Sequence, residues 1–293
     1  MPRFVQWIWR VCAIHVMLGM AAYLYYLMTD SYRYLIWYFW IEGTLFLLLM
    51  TAAESFLALQ CRAGFDADEP MRLAWTFIAL SSFSRFAGAV LMAAKGWHFT
   101  WITGQTSSAL ALISLERLAR IGDVVGGPLA LALLAAGLSR VLKIQRMFNV
   151  LSRLTRMDRL LIGLIVAFTL GQVVNIAQYI AHRPQLSTVF LWLSDPLLAL
   201  LLIEAVLIRR SVIRVGFGLI SQCWGMYVIA IVTTSAGDAS LWAANAGLLS
   251  APMTALSWYI WFFASAAFAS APAYQLAAMS LPSAEESAAR TRV

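Results

Sequence analysis

Charge is what this sequence has least of. Only 12% of its 293 residues are Asp, Glu, Lys or Arg, about half the roughly 25% that a soluble globular domain carries. Such a chain cannot cover a water-facing surface, which excludes a soluble domain and a disordered chain. The balance of 21 Lys and Arg against 14 Asp and Glu is no sign of nucleic-acid binding, because the cations are dispersed between apolar runs. Cysteine is nearly absent as well: Cys12, Cys61 and Cys223 are far apart and form no CxxC pair. That excludes a disulfide framework and an Fe–S or zinc ligand set. The two lysines, Lys95 and Lys143, and three histidines, His15, His98 and His182, leave no Schiff-base amine in a late apolar run and no matched axial pair for haem. No HExxH, G-x-S-x-G, P-loop or paired Asp-rich motif occurs. The chain is therefore expected to be non-enzymatic, with no metal and no cofactor.

What is abundant is apolar length. Hydrophobic residues make up 62% of the chain, and a span needs about 20 of them in a row. Eight runs qualify: residues 4–28, 34–59, 72–94, 124–142, 159–181, 188–208, 212–234 and 250–278. Turn or charge signals separate them at Thr29-Asp30-Ser31, at residues 66–70, at Gly126-Gly127-Pro128, at Arg183-Pro184, at Arg209, Arg210 and Arg214, and at Gly237-Asp238. Bare backbone amides are not tolerated in hydrocarbon, so these runs are helices, and nothing alternates as barrel strands would. The expected fold is all-α, a polytopic transmembrane bundle of about eight spans forming a single domain over residues 1–293, with a polar tail at 281–293. Seven spans is the alternative, with residues 4–28 lying on the surface or cleaved, since Gln6, Arg10 and His15 interrupt that run.

Eight spans separate the basic residues by side. Fourteen (Arg3, Arg62, Arg72, Arg140, Lys143, Arg146, Arg153, Arg156, Arg159, Arg209, Arg210, Arg214, Arg290 and Arg292) fall together, against five (Arg33, Lys95, Arg117, Arg120 and Arg183) opposite. The positive-inside rule then puts both termini in the cytoplasm, with a cell membrane, the bacterial inner membrane, as the location. Residues 140–156 place Ile144, Met147, Phe148, Leu151 and Leu154 on one helical face and polar side chains on the other. That pattern predicts an amphipathic cytoplasmic helix, with anionic lipids meeting residues 140–159. Residues 106–121 have a similar pattern. Lipid is thus the first partner expected. The small residues Ala264, Ser265, Ala266, Ala267, Ala269, Ser270 and Ala271 permit close helix packing, within the bundle or against a second copy of the chain.

The intramembrane polar groups are the candidate site residues. Antiparallel pairing of the second and third spans predicts an ion pair between Glu42 and Arg85, with Glu54 a poorer match; Glu204 is expected to pair locally with Arg209 and Arg210. In the fifth span Gln172, Asn175, Gln178 and His182 share one face. With Asp195 and the aromatics Tyr26 and Trp37 they compose a candidate ligand site at the outer boundary. Interhelical amide hydrogen bonds explain the stripe equally well, and an aromatic belt explains Tyr23–Tyr38. Two functional classes follow: a ligand-responsive or accessory membrane module working with a protein partner, or a small-solute transporter with an outward polar site. No repeat between the two halves favours the second.

Overall fold

The computed structural model describes residues 1–30, 35, 38–102, 120–150, 154–182, 193–216, 218–245, 248 and 251–281. At some helical positions, residues 95–102, 172, 175–182 and 251–257 among them, it describes the backbone alone. Among these residues there is no strand. Eight α-helices follow in order: α1 (Arg3–Thr29), α2 (Thr44–Ala63), α3 (Pro70–Ile102), α4 (Ala130–Met147), α5 (Arg156–His182), α6 (Ser194–Val215), α7 (Leu219–Asn245) and α8 (Ala251–Met279). A π-helical stretch, Tyr38–Gly43, leads into α2, and a second, Val125–Leu129, leads into α4. Among the described residues, five helical segments are long and apolar enough to cross a membrane: Arg3–Thr29, Ile41–Ala63, Pro70–Ala94, Arg120–Met147 and Leu219–Ser240. The chain is a membrane protein by that measure, and apolar side chains such as Phe4, Leu18, Leu80 and Leu164 face outward, where only lipid suits them.

Six of the helices close a ring. Going round it, α2 packs on α3, α3 on α4, α4 on α6, α6 on α7, α7 on α8, and α8 returns to α2. Helix α1 lies outside against α8, and α5 lies outside against α6. Side-chain pairings give the directions. Gly137 meets Ile78 and Gly126 meets Gly88, so α3 and α4 are antiparallel; Gly127 meets Ser194 and Ser139 meets Glu204, so α4 and α6 are parallel. Parallel neighbours require the chain between them to change ends. The eight residues from 148 to 155 reach at most about 28 Å, less than the roughly 40 Å of Arg120–Met147. The return therefore falls to residues 156–193, of which α5, at 27 residues, is also about 40 Å long and so long enough to make it.

The ends of the ring differ in charge. Arg62, Arg72, Arg140, Lys143, Arg146, Arg209, Arg210 and Arg214 all stand in the last turns of α2, α4 and α6 or the first turn of α3, which gather at one end. Asp195 and Asp238 stand at the other.

Several expected breaks are not breaks. Gly126-Gly127-Pro128 lies inside one continuous helical segment, Arg120–Met147. Pro128 has no amide to donate there, and hydroxyls of α3 tie the segment to the bundle: Ser84 Oγ donates to the Val125 carbonyl and Ser81 Oγ to the Ala130 carbonyl, both at 2.6 Å. Gly126 packs backbone to backbone on Gly88, an approach that any side chain would block. Gly237-Asp238 is likewise helical within α7; Gly237 makes room for the Trp261 ring, and Trp261 Nε1 donates to Asp238 Oδ1 at 3.1 Å. Arg209, Arg210 and Arg214 belong to the end of α6 rather than to a turn, because Ile208 and Ser211 are still buried in the bundle.

The proposed amphipathic helix at residues 140–156 is also not one helix. Residues 140–147 finish α4, and the helix stops in a Schellman motif. Asn149 takes a left-handed φ of 53°, its N–H bonds the Arg146 carbonyl, and the Val150 N–H bonds the Gln145 carbonyl. Asn tolerates that conformation better than other non-glycine residues do. Residues 106–119 lie outside the described residues. The small-residue run of α8 is buried, with Ala264, Ala266, Ala267, Ala269, Ser270 and Ala271 all inside the bundle. It lets α7 and α2 close on α8.

Candidate functional site

The most polar feature of the ring interior is built by three helices. Glu54 of α2 is buried to 1% exposure. Its Oε1 accepts from Arg85 Nη2, in an ion pair, and from Ser82 Oγ at 2.8 Å, both on α3. The Arg85 guanidinium lies 3.5 Å from the centroid of the Phe268 ring of α8, which adds a cation–π contact in a desolvated place. The expected partner, Glu42, is not the partner. It is exposed in the π-helical stretch, twelve residues before Glu54 and so roughly 18 Å up the helix. Arg62 Nε donating to Thr76 Oγ1 at 3.0 Å fixes the register of α2 on α3, and that register sets Glu54 beside Arg85.

Aromatic rings fill the space around the pair. Trp75 of α3, Trp224 and Tyr227 of α7 and Phe268 of α8 are all buried, in a chain of ring contacts from 5.6 to 6.4 Å. These rings occupy the part of the bundle interior shared by α3, α7 and α8. Among the described residues, Arg85 Nε, the Tyr227 hydroxyl and Trp75 Nε1 are buried without a hydrogen-bond partner. Each such group costs about 1–3 kcal/mol, so the cluster is held by its surroundings rather than by its own satisfaction.

Two further polar sites lie between helices. Glu204 of α6 accepts from Ser139 Oγ of α4, reaching across to the neighbouring helix, while its Oε2 is buried without a partner. At the acidic end Asp195 comes close enough to Asp238 for their charges to interact.

Sequence reasoning passed over a fourth centre, around His15. This histidine of α1 is buried, with its Nε2 2.9 Å from the Tyr38 hydroxyl, which also lies 3.0 Å from the His15 carbonyl. One proton cannot serve both, so Tyr38 donates to the carbonyl and accepts the Nε2–H. The imidazole stacks on Phe46 at 4.3 Å and meets the edge of Phe262 at 4.4 Å. Read alone, His15 looked like an interruption of an apolar run; its cage comes from the Tyr38–Gly43 stretch, α2 and α8, more than twenty residues away at the nearest. The arrangement anchors the peripheral α1.

Of the proposed ligand site, Tyr26 is buried on α1 and Asp195 is half-buried at the start of α6. Gln172, Asn175, Gln178 and His182 sit on the helical backbone of α5, with side chains outside the described residues, and Trp37 lies outside them altogether. Only Tyr26 and Asp195 of that set have described side chains, on α1 and α6. Among the described residues no three His, Cys, Asp or Glu side chains gather in a way that could hold a metal ion.

No family model matches the chain, and no curated protein or solved structure is significantly similar to it. Its functional reading rests on its own geometry.

Proposed function

We propose that this protein is a multi-pass integral membrane protein of eight spans with both termini in the cytoplasm, and that it is a non-enzymatic, ligand-responsive or accessory module acting with a protein partner. Support for eight spans comes from the alternating helix directions, above all from α5 returning between the parallel α4 and α6. The Arg-rich end is the cytoplasmic one under the positive-inside rule, in a cell membrane such as the bacterial inner membrane. The observation that carries the functional reading is the closed six-helix ring with Trp75, Trp224, Tyr227 and Phe268 buried inside it. Large side chains buried inside the ring favour a rigid scaffold over a path for solute. Any output then passes through the basic face, where a partner's acidic surface would dock.

The alternative is a solute carrier with its site on the outer half of α5, drawing on Gln172, Asn175, Gln178, His182 and Asp195. The proximity of Asp195 to Asp238 at that end is the observation in its favour. Reconstitution into vesicles separates the two readings. Osmotic swelling with small polar solutes should match that of empty vesicles, whereas saturable, solute-specific uptake would establish the carrier. A photo-crosslinker at Arg146 should capture one discrete protein adduct in cells, and a crosslinker at Asp30 should not; adducts at neither position would remove the partner.

A further inference from the structure

One surface groove combines features that the packed core lacks. It lies between the first turn of α3 and the last two turns of α4, holds about 190 Å³, and is lined by Pro70, Leu73, Arg140, Lys143, Ile144 and Met147. The four α4 residues recur at i, i+3, i+4 and i+7, a single helical stripe. Gly137 against Ile78 sets the register and brings Arg140 and Lys143 level with the first two turns of α3. Both cations are exposed, and the N-terminal pole of α3 at Pro70 adds positive potential beside them. The acids of the preceding turn, Asp66, Asp68 and Glu69, do not line the groove, and Glu69 accepts from the Asp66 N–H at 3.0 Å. The walls, in contrast, are apolar. Leu73 is 45% exposed, and Leu80, one heptad further on the same face, is 48% exposed, an outward apolar track of about 10 Å.

We propose that this groove binds one anionic phospholipid, its phosphate between Arg140 and Lys143 and the upper part of an acyl chain along Leu73 and Leu80. Charge complementarity selects an anion, and the apolar track selects a lipid over free phosphate, which has no use for it. The volume is below the 300–1,000 Å³ of drug-sized pockets and suits a headgroup junction whose tails continue into the bilayer. Basic pockets between spanning helices on the cytoplasmic side are a known form of lipid recognition. The proposal rests on the basic end facing a headgroup layer, and it narrows general attraction between a basic surface and anionic lipid to one stoichiometric site.

The test is thermal unfolding of the full chain in neutral detergent, titrated with phosphatidylglycerol, phosphatidylcholine or inorganic phosphate. Phosphatidylglycerol should raise Tm saturably. The double variant Arg140→Gln/Lys143→Gln should lose the rise, and Leu73→Trp, which fills the groove, should weaken half-saturation at least tenfold. Arg3→Gln, at the same end on the peripheral α1, should change neither. All four side chains lie outside the core, so the variants should fold, which circular dichroism checks. An equal rise with phosphatidylcholine, a rise with phosphate alone, or a rise that survives Leu73→Trp unchanged would overturn the site. The membrane reading fails separately, if the chain stays folded and monodisperse without detergent.

Discussion

Arg85 and Glu54 form an ion pair across α2 and α3 in which Glu54 Oε1 also takes the Ser82 hydroxyl. Removing either partner leaves an uncompensated buried charge, whereas neutralising both removes the need for one. Arg85→Ala or Glu54→Ala should therefore destabilise the bundle by about 3–5 kcal/mol, and Glu54→Gln/Arg85→Gln should cost less than either. Glu42→Gln should stay within about 0.5 kcal/mol. Unfolding in mixed micelles measures all four; a Glu42 effect as large as that of Glu54 would contradict the pairing.

The glycines divide into those that carry packing and those that do not. A Cβ on Gly88 would stand 2.6 Å from Gly126 Cα, while Gly163 and Gly171 of α5 have nothing within 4 Å. Gly88→Val should therefore cost about 1–3 kcal/mol or more, as overpacking does. Gly163→Ala and Gly171→Ala should be neutral or stabilising by up to about 1 kcal/mol through the backbone entropy of the unfolded state. The same unfolding assay ranks them, and a tolerated Gly88→Val would mean that α3 and α4 are not in contact there.

Topology is open to cysteine labelling, because Cys12, Cys61 and Cys223 are all buried. Arg146→Cys should react only with reagent supplied from the cytoplasm and Asp30→Cys only with reagent from outside. Labelling of both from one side would remove the eight-span arrangement.

The polar stripe of α5 decides between the two functional readings. A dry seam predicts that Asn175→Cys and Gln178→Cys stay unreactive towards a small thiol reagent applied outside, while Asp30→Cys labels freely. Rapid labelling of both would place a solvent-reached groove on α5 and move the balance to the carrier.

Much of the architecture was legible in the residues. Each of the eight apolar runs overlaps one of the described helices α1–α8, five of the helical segments being long and apolar enough to cross a membrane, because hydrophobic length is a local property that no later contact revises. The positive loops likewise predicted the gathering of Arg62, Arg72, Arg140 and Arg210 at one end. Interruptions were misread where they carried packing. Gly126-Gly127-Pro128 and Gly237-Asp238 have the composition of turns, yet the serines of α3 and the Trp261 ring of α8 keep them helical.

By itself, then, the sequence determined that this is a helical membrane chain, roughly where each helix runs, and which residues are too polar for lipid to tolerate alone. Tertiary structure decided who satisfies them. Glu54 rather than Glu42 meets Arg85, Ser139 meets Glu204, and Tyr38 meets His15. The reason is register: one turn of helix is 5.4 Å, so a loop that shifts two helices by a single turn exchanges every cross-helix partner while leaving each hydropathy run unchanged.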